Sequence, residues 1–189
     1  MQTVELTCDP VFDAAVREVW QQLDEGGVAS LARNTHPTHR PHLTLAACGS
    51  VPVAALARVD ELIAEALPLP VRLTGLLSFS ARSRRRVLSW SVVPGYELVR
   101  LHHRIWQELA EAAQPGSAQP SPYYLPGRWS PHLGLTRRLE PAELALAHHL
   151  LGRLPDLTGS FDAARSYDTC TGLTTPLGAA PPAVRPASA

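Results

Sequence analysis

A five-residue pattern occurs twice in this sequence, and it constrains the fold more than any other feature. Residues 41–45 read Pro-His-Leu-Thr-Leu, and residues 131–135 read Pro-His-Leu-Gly-Leu. Successive side chains of a β-strand point to opposite faces, so each copy places its leucines on one face and its histidine on the other. Leucine is typical of a buried face. The pattern therefore predicts two anchored strands, which present His42 and His132 on the face opposite the core.

The function of these histidines has two interpretations. A single histidine beside apolar residues is more often a packed, hydrogen-bonded residue than a catalyst. The recurrence of the proline, the histidine and both leucines at the same offsets favours a shared function instead. If the fold brings the two strands together, the two imidazoles face each other across one cleft.

The rest of the chain alternates between strand and helix patterns. Apolar periodicity and turn residues predict strands within residues 3–8, 42–47, 71–80, 87–93, 131–135 and 157–168. They predict helices within residues 12–25, 53–67, 96–113 and 140–154. Because strands and helices intermix and two consecutive strands form a hairpin, the sequence predicts an α+β domain over residues 1–174. Residues 114–122 are predicted to form a loop, and the Pro- and Ala-rich residues 175–189 a disordered tail.

Composition narrows the class of protein. The 189 residues carry 17 acidic and 17 basic side chains, so net charge does not favour wrapping around nucleic acid. All the basic residues are arginines, whose planar guanidinium groups suit phosphate. The three cysteines lack the spacing of a metal or redox site. Without a signal-like segment or a run of ~18 apolar residues, we expect a soluble, cytoplasmic protein.

The two repeated segments resemble the paired H-x-[T/S]-x motifs of the 2H phosphoesterase superfamily, in particular its bacterial 2′-5′ RNA ligase / RNA 2′,3′-cyclic phosphodiesterase branch. Residues 41–45 match the first motif closely. Residues 129–137 match the second except at Gly134, where the pattern has Thr or Ser. The order of elements over about residues 3–170 also fits. The resemblance implies two pseudo-symmetric lobes of antiparallel sheet around a central cleft, with the helices outside.

The same resemblance implies a reaction that opens 2′,3′-cyclic phosphates, or 2′-5′ linkages, of RNA ends or nucleotides, with ligation as its reverse. His42 and His132 would form the acid–base pair, and Thr44 would donate its hydroxyl to a phosphate oxygen. Histidine suits these roles because its unperturbed pKa lies near neutrality. No metal and no cofactor is implied, and we expect a monomer that does not bind membranes. The sequence does not show which histidine is the acid.

Gly134 departs from this pattern, because it cannot supply a hydroxyl. The loss of one transition-state donor costs ~10²–10³ in rate. Thr136 could compensate if it lies on the same face, or a water or the substrate could approach the bare backbone at Gly134. The alternative function is a non-catalytic protein that binds nucleotides or RNA, and a plain structural domain is a third possibility.

Further candidates surround the second motif. Arg128 and Arg137 flank it and are candidate phosphate ligands, although strict alternation would turn Arg137 away from the cleft. Tyr124 and Trp129 could stack on a base, but large aromatic residues on strands are usually core. The arginine-rich turn at residues 82–86 is either a phosphate contact or a solvated turn.

A metal site is not predicted. His36, His39 and His42 are spaced three residues apart, but the intervening prolines interrupt a helix and no cysteine or carboxylate joins them. The sequence also lacks a Gly-rich phosphate loop, a nucleophile elbow and an acidic metal cluster. These absences favour a metal-free mechanism.

Overall fold

The computed structural model of the chain describes residues 1–113, 120–152 and 154–178. Within these residues the helices are α1 Pro10–Glu25, α2 Val53–Ala66, α3 Tyr96–Ala112 and α4 Pro141–Leu151. The strands are β1 Gln2–Cys8, β2 His42–Cys48, β3 Leu69–Ser80, β4 Arg86–Val93, β5 His132–Gly134, β6 Leu157–Asp168 and β7 Thr174–Leu177. Short 3₁₀ helices span Leu31–Arg33 and Pro122–Tyr124. The predicted α+β class is confirmed.

The described strands form one antiparallel sheet in the order β1-β2-β5-β4-β3-β6-β7. The long strand β6 also pairs with β1, so the pairings of the first six strands close into a circuit. β2 and β5, which carry the two repeated motifs, lie side by side as the second and third strands of this order. The sheet therefore brings together two segments that are ninety residues apart in sequence.

Helices pack in two pairs, α1 with α4 and α2 with α3. The apolar residues of the repeats lie in the core that these helices cover, since Leu43, Leu45, Leu133 and Leu135 are each at most 1% exposed. Burial of one such side chain stabilises the fold by roughly 1.5–3 kcal/mol. The leucines thus anchor both motif strands, as the alternation of the sequence predicts.

Helix α1 starts where the sequence provides a cap. Asp9 accepts a hydrogen bond from the backbone N–H of Phe12 at 2.9 Å, and Pro10 occupies the first helical position. The second carboxylate oxygen of Asp9 accepts from the backbone N–H and the hydroxyl of Ser160 on β6. These N–H donors hold the pKa of Asp9 below its usual value. The cap therefore ties α1 to the sheet.

The predicted boundary of the disordered tail at residue 175 is too early. Thr174–Leu177 forms β7 and pairs with β6, and Leu177 is buried. Local pattern missed this strand because it is short and contains a proline, whereas its order comes from pairing with a distant strand. Residues 179–189 of the predicted tail and residues 114–119 of the predicted loop lie outside the described residues. Over the described part of the chain, every helix is too short or too polar to cross a membrane.

Candidate active site

The two motif strands meet at one residue pair, Leu43 with Leu133. Extending this antiparallel register by one residue in each direction sets His42 opposite Gly134 and Thr44 opposite His132. Opposed residues share a face, so both imidazoles emerge on the face that the leucines do not occupy. Such diagonal neighbours lie roughly 7–8 Å apart in an antiparallel sheet. This separation leaves room for one phosphate between the two rings.

Both histidines are held in the same way. Nδ1 of His42 lies 2.8 Å from the carbonyl oxygen of Arg40, and Nδ1 of His132 lies 2.7 Å from that of Ser130. A carbonyl oxygen only accepts, so each Nδ1 carries a proton and donates it. Nε2 of each ring is thus the atom left to exchange a proton with a ligand.

The surroundings of His132 are apolar. Its ring lies against Phe79, with ring centroids 4.5 Å apart. Burial lowers the pKa of His132, and the charge of His42 lowers it further, against the raising effect of the hydrogen bond to Ser130. His132 is therefore neutral near pH 7.

The surroundings of His42 are charged. Nε2 of His42 lies 3.7 Å from a carboxylate oxygen of Glu5, which is buried on the neighbouring strand β1. Glu5 also accepts hydrogen bonds from Nε of Arg165 at 2.8 Å and from the hydroxyl of Thr3 at 2.7 Å. Among the described residues, no carboxylate lies within 4 Å of His132. A proton on His42 thus has an anionic partner that a proton on His132 lacks.

Thr44 and Tyr124 present two hydroxyls beside His42. Thr44 lies two residues beyond His42 on the same strand face. Burial raises the pKa of Tyr124, so its phenol stays protonated, while the Thr44 side chain acts on this pKa in the opposite direction. The structure therefore brings the predicted residue Tyr124 to the site through its hydroxyl, whereas the sequence suggested that its ring would stack on a base.

Trp129 stacks on His102 and supports the first motif through a hydrogen bond. The rings are nearly parallel with centroids 3.9 Å apart, and the indole N–H of Trp129 donates to the carbonyl of Thr44 at 3.1 Å. Burial lowers the pKa of His102 to about 4. Its neutral ring donates from Nε2 to the carbonyl of Tyr124. One face of Trp129 is thus occupied by His102, and its role as a base-stacking residue stays a prediction.

A second stack supports the other motif in the same way. Trp20 lies on His39 with centroids 4.9 Å apart, and its indole N–H donates to the carbonyl of Gly134 at 2.9 Å. Burial lowers the pKa of His39 to about 4, and its Nε2 contacts the carbonyl of Leu31. Trp20 and His39, from the first half of the chain, thus support the motif of the second half. Trp129 and His102, from the second half, support the motif of the first half.

Sequence reasoning missed these supporting residues. Neither Trp20 nor His102 was among the candidate residues that the sequence indicated. The one available signal was the indole N–H, because a buried tryptophan usually needs an acceptor for it. The acceptor lies on a strand more than eighty residues away in both cases, so local pattern could not identify it.

The space beside Gly134 is filled by an apolar side chain. A β-carbon at this position would lie 2.9 Å from Cδ1 of Leu31. Across the sheet, Ser89 of β4 pairs with Gly134, but Ser89 is buried and its hydroxyl has no hydrogen-bond partner within the described part of the chain. No hydroxyl therefore reaches the cleft at the position where the second motif normally supplies one.

The predicted compensation by Thr136 is wrong. Thr136 is 2% exposed, and its hydroxyl accepts a hydrogen bond from the backbone N–H of Leu88 at 2.9 Å. β5 ends at Gly134, so the alternation that would have placed Thr136 on the cleft face does not continue. Thr136 instead forms an isolated bridge with Ser30.

The candidate arginines lie at the surface. Arg128 and Arg137 are both exposed, and Arg137 donates to the carbonyl of Arg33. In the turn at residues 82–86, Arg85 pairs with Glu140 at 2.6 Å, so part of that turn is engaged with the protein itself. None of these contacts directs an arginine towards the paired histidines.

His36, His39 and His42 do not converge on one point. His39 is bound to Leu31 and stacked on Trp20, while His36 is exposed and contacts Thr38 through Nδ1. The residues that the structure describes include no group of three or more His, Cys, Asp or Glu side chains arranged to hold a metal ion.

Two histidine-bearing strands lie side by side in an antiparallel sheet, as the resemblance to the 2H phosphoesterases implies. The sequence model of the 2′-5′ RNA ligase superfamily matches residues 10–168, and the chain belongs to this family. No curated protein sequence matches the chain.

Solved structures share the fold at low sequence identity. The crystal structure of TT0787 of Thermus thermophilus is 20% identical, with a TM-score of 0.58, and the match covers 93% of this chain and 94% of that one. Usb1 of Kluyveromyces marxianus, whose structure was solved with uridine monophosphate, is 12% identical with a TM-score of 0.50, over 93% and 97% of the two chains. These similarities support the fold.

Proposed function

We propose that this protein is a phosphodiesterase that opens the 2′,3′-cyclic phosphate of RNA ends or nucleotides by acid–base catalysis with His42 and His132, in the cytoplasm and as a monomer. The observation that carries the proposal is the matched pair of imidazoles, each bound to a carbonyl through Nδ1 and each with a free Nε2 on one face of adjacent strands. Family membership supports the reaction class. Nucleotide binding by a protein of the same fold supports the ligand class.

The two environments support different roles for the two histidines. His132 is neutral and can take a proton from the attacking water through Nε2. A protonated His42, with Glu5 beside it, can give its proton to the 3′ oxygen as the bond between phosphorus and that oxygen breaks. Water then supplies the new oxygen on phosphorus, and the product is a 2′-phosphate with a free 3′ hydroxyl. Ligation is the same ring opening with the hydroxyl of a second RNA end in place of water, so that a 2′-5′ linkage forms, and the reverse of that step cleaves the linkage.

Hydroxyl groups beside His42 can donate hydrogen bonds to the phosphate. Thr44 lies on the same strand face as His42, and the protonated phenol of Tyr124 is the second candidate donor. Such donors stabilise the charge that develops on the non-bridging oxygens, and they do so without a metal. Since Gly134 supplies no matching donor, we expect slower turnover than in a site with two threonines.

The test is an assay of an oligonucleotide that ends in a 2′,3′-cyclic phosphate, in buffer with a chelator. Metal-free acid–base catalysis predicts hydrolysis that the chelator leaves unchanged and a product with phosphate on the 2′ oxygen. Absence of hydrolysis under these conditions, with activity restored by a divalent cation, contradicts the proposed mechanism. A 3′-phosphate product contradicts the assignment of His42 as the acid for the 3′ oxygen.

The pH profile provides a second prediction. Because His132 must be deprotonated to act as a base and burial lowers its pKa, we expect kcat/KM to fall on the acid side with a midpoint below 6.5, the usual value for histidine. Phe79→Ala admits water beside the ring, raises the pKa of His132 and moves this midpoint to higher pH. The measurement is kcat/KM for a nucleoside 2′,3′-cyclic phosphate between pH 4 and pH 9, the range on the order of two units either side of the usual pKa. A midpoint that stays at the same pH in both proteins contradicts the assignment of His132 as the base.

The alternative is a protein that binds the nucleotide without turnover. The side chain of Leu31 over Gly134 favours it, because this apolar group fills the place of a transition-state donor. In that case the oligonucleotide binds with a measurable affinity and remains intact in the chelator assay, in the presence of metal as well as in its absence.

A further inference from the structure

A large cavity lies outside the histidine pair. It has a volume of about 680 Å³ and opens between α1, the segment before β2, and strands β6 and β7. Three of its lining side chains are arginines from three different elements: Arg17 of α1, Arg40 just before β2, and Arg165 of β6. Asp13 is the one carboxylate residue in the lining. We call this space the arginine cavity.

The three guanidinium groups are fixed in place. Arg17 donates to the carbonyl of His39 and Arg40 donates to the carbonyl of Cys8, both at 3.0 Å. Arg165 donates to Glu5 through Nε. Each guanidinium has five N–H groups, so donors remain on all three after these bonds are made.

The charges in the arginine cavity are only partly balanced. Asp13 contacts both Arg17 and Arg40, but Nε of Arg40 is 3.5 Å from the Asp13 carboxylate. Nε of Arg40 and Oδ1 of Asp13 are both buried, and neither has a hydrogen-bond partner within the described ranges. With Glu5 included, three guanidinium groups are set against two carboxylates, which leaves one positive charge in excess.

The arginine cavity adjoins a groove that is lined by His42. This groove runs from His42 and Thr44 along the sheet, and it shares Thr38, His39 and Arg165 with the arginine cavity. Because the two spaces share these residues, and Arg165 also donates to the carbonyl of Thr38, they adjoin each other at this contact.

We propose that the arginine cavity binds a second phosphate of the substrate. The inference rests on the proposed function and deepens it, because the enzyme then prefers a cyclic-phosphate end that carries a further phosphate over a nucleoside 2′,3′-cyclic phosphate alone. Planar guanidinium groups that retain free N–H donors match phosphate oxygens geometrically. The further phosphate is either a terminal monoester or an internucleotide diester, and the experiment separates these two sources.

Three substrates test the inference: cytidine 2′,3′-cyclic phosphate, the same compound with a 5′-phosphate, and the cytidine dinucleotide that ends in a 2′,3′-cyclic phosphate. For the wild type at low salt we expect kcat/KM to be at least about 10-fold higher for one or both of the larger substrates, as one charge-assisted contact provides. A gain confined to the 5′-phosphate compound identifies a monoester site. A gain with the dinucleotide identifies a diester site.

Arg17→Gln is the informative variant, because Arg17 is partly exposed and does not touch the histidine pair. We expect it to lower kcat/KM for the preferred larger substrate about 10-fold by raising the KM for that substrate. We expect kcat/KM for cytidine 2′,3′-cyclic phosphate to stay within about 2-fold of the wild type. Arg58→Gln is the matched control, since Arg58 is an exposed arginine on α2 that pairs with Glu61. Thermal unfolding of both variants checks that they fold.

The inference fails if the wild type shows no preference among the three substrates. It also fails if Arg17→Gln lowers all three rates equally, because the arginine then only holds the loop at His39. If the wild type hydrolyses none of them, the proposed function fails instead. Calorimetric titration with cytidine 2′-phosphate and cytidine 2′,5′-bisphosphate then tests the arginine cavity independently. Tighter binding of the bisphosphate to the wild type, lost in Arg17→Gln, supports the cavity as a phosphate site, whereas equal affinities overturn it.

Discussion

Replacing His42 or His132 with alanine is expected to lower kcat for a 2′,3′-cyclic nucleotide by about 10²–10⁴-fold, the usual contribution of a positioned acid or base. Both rings are partly exposed at the cleft, and neither contributes to the leucine core. The variants should therefore fold like the wild type. The measurement is kcat for cytidine 2′,3′-cyclic phosphate with thermal unfolding in parallel.

The matched control is His103→Ala, because His103 is an exposed histidine on α3 away from the motif strands. It should hydrolyse the substrate like the wild type. Since both histidines act in the same step, the double variant His42→Ala/His132→Ala should be little slower than either single variant. Wild-type rates in the two single variants would exclude the proposed acid–base pair.

Restoring the missing hydroxyl is expected to accelerate the enzyme, but only when space is made for it. In Gly134→Thr the new β-carbon meets Cδ1 of Leu31 at 2.9 Å, so this side chain must move. The position lies in a strand, where threonine is favoured. We expect Gly134→Thr alone to change kcat little, and Gly134→Thr/Leu31→Ala to raise kcat by up to about 10²-fold over Leu31→Ala, the lower range for one oxyanion donor.

Two further variants separate the hydroxyl from the added volume. Leu31→Ala alone measures the effect of opening the cleft. Gly134→Ala/Leu31→Ala adds a β-carbon without a donor, and it should match Leu31→Ala in kcat. A threonine double variant that is no faster than this alanine double variant would show that the cleft does not use a donor at position 134.

Much of the fold follows from local pattern. Alternation placed Leu43 and Leu133 in the core, and apolar periodicity set the bounds of the four helices to within a few residues. These features were predictable because they depend on neighbours within a single element. Strand β7 was missed because its order depends on pairing with β6 and on the burial of Leu177.

The candidate site was predictable only in part. The repeated motif identifies the histidines, and the structure places both on one face. The phenol of Tyr124 at Thr44 and the carboxylate of Glu5 at His42 could not be inferred, because each contact joins segments far apart in sequence. The prediction that Thr136 could lie on the cleft face was wrong for a similar reason, because the neighbouring strands and not the residues of β5 determine where β5 ends.

The crossed arrangement of the two tryptophans has a consequence for how the polypeptide can be divided. Trp20 donates to the strand of His132, and Trp129 donates to the strand of His42. A fragment containing one histidine therefore lacks the indole that secures its own motif. Two fragments divided between the motifs could restore both contacts only by assembling with each other, so the chain is one interdependent unit.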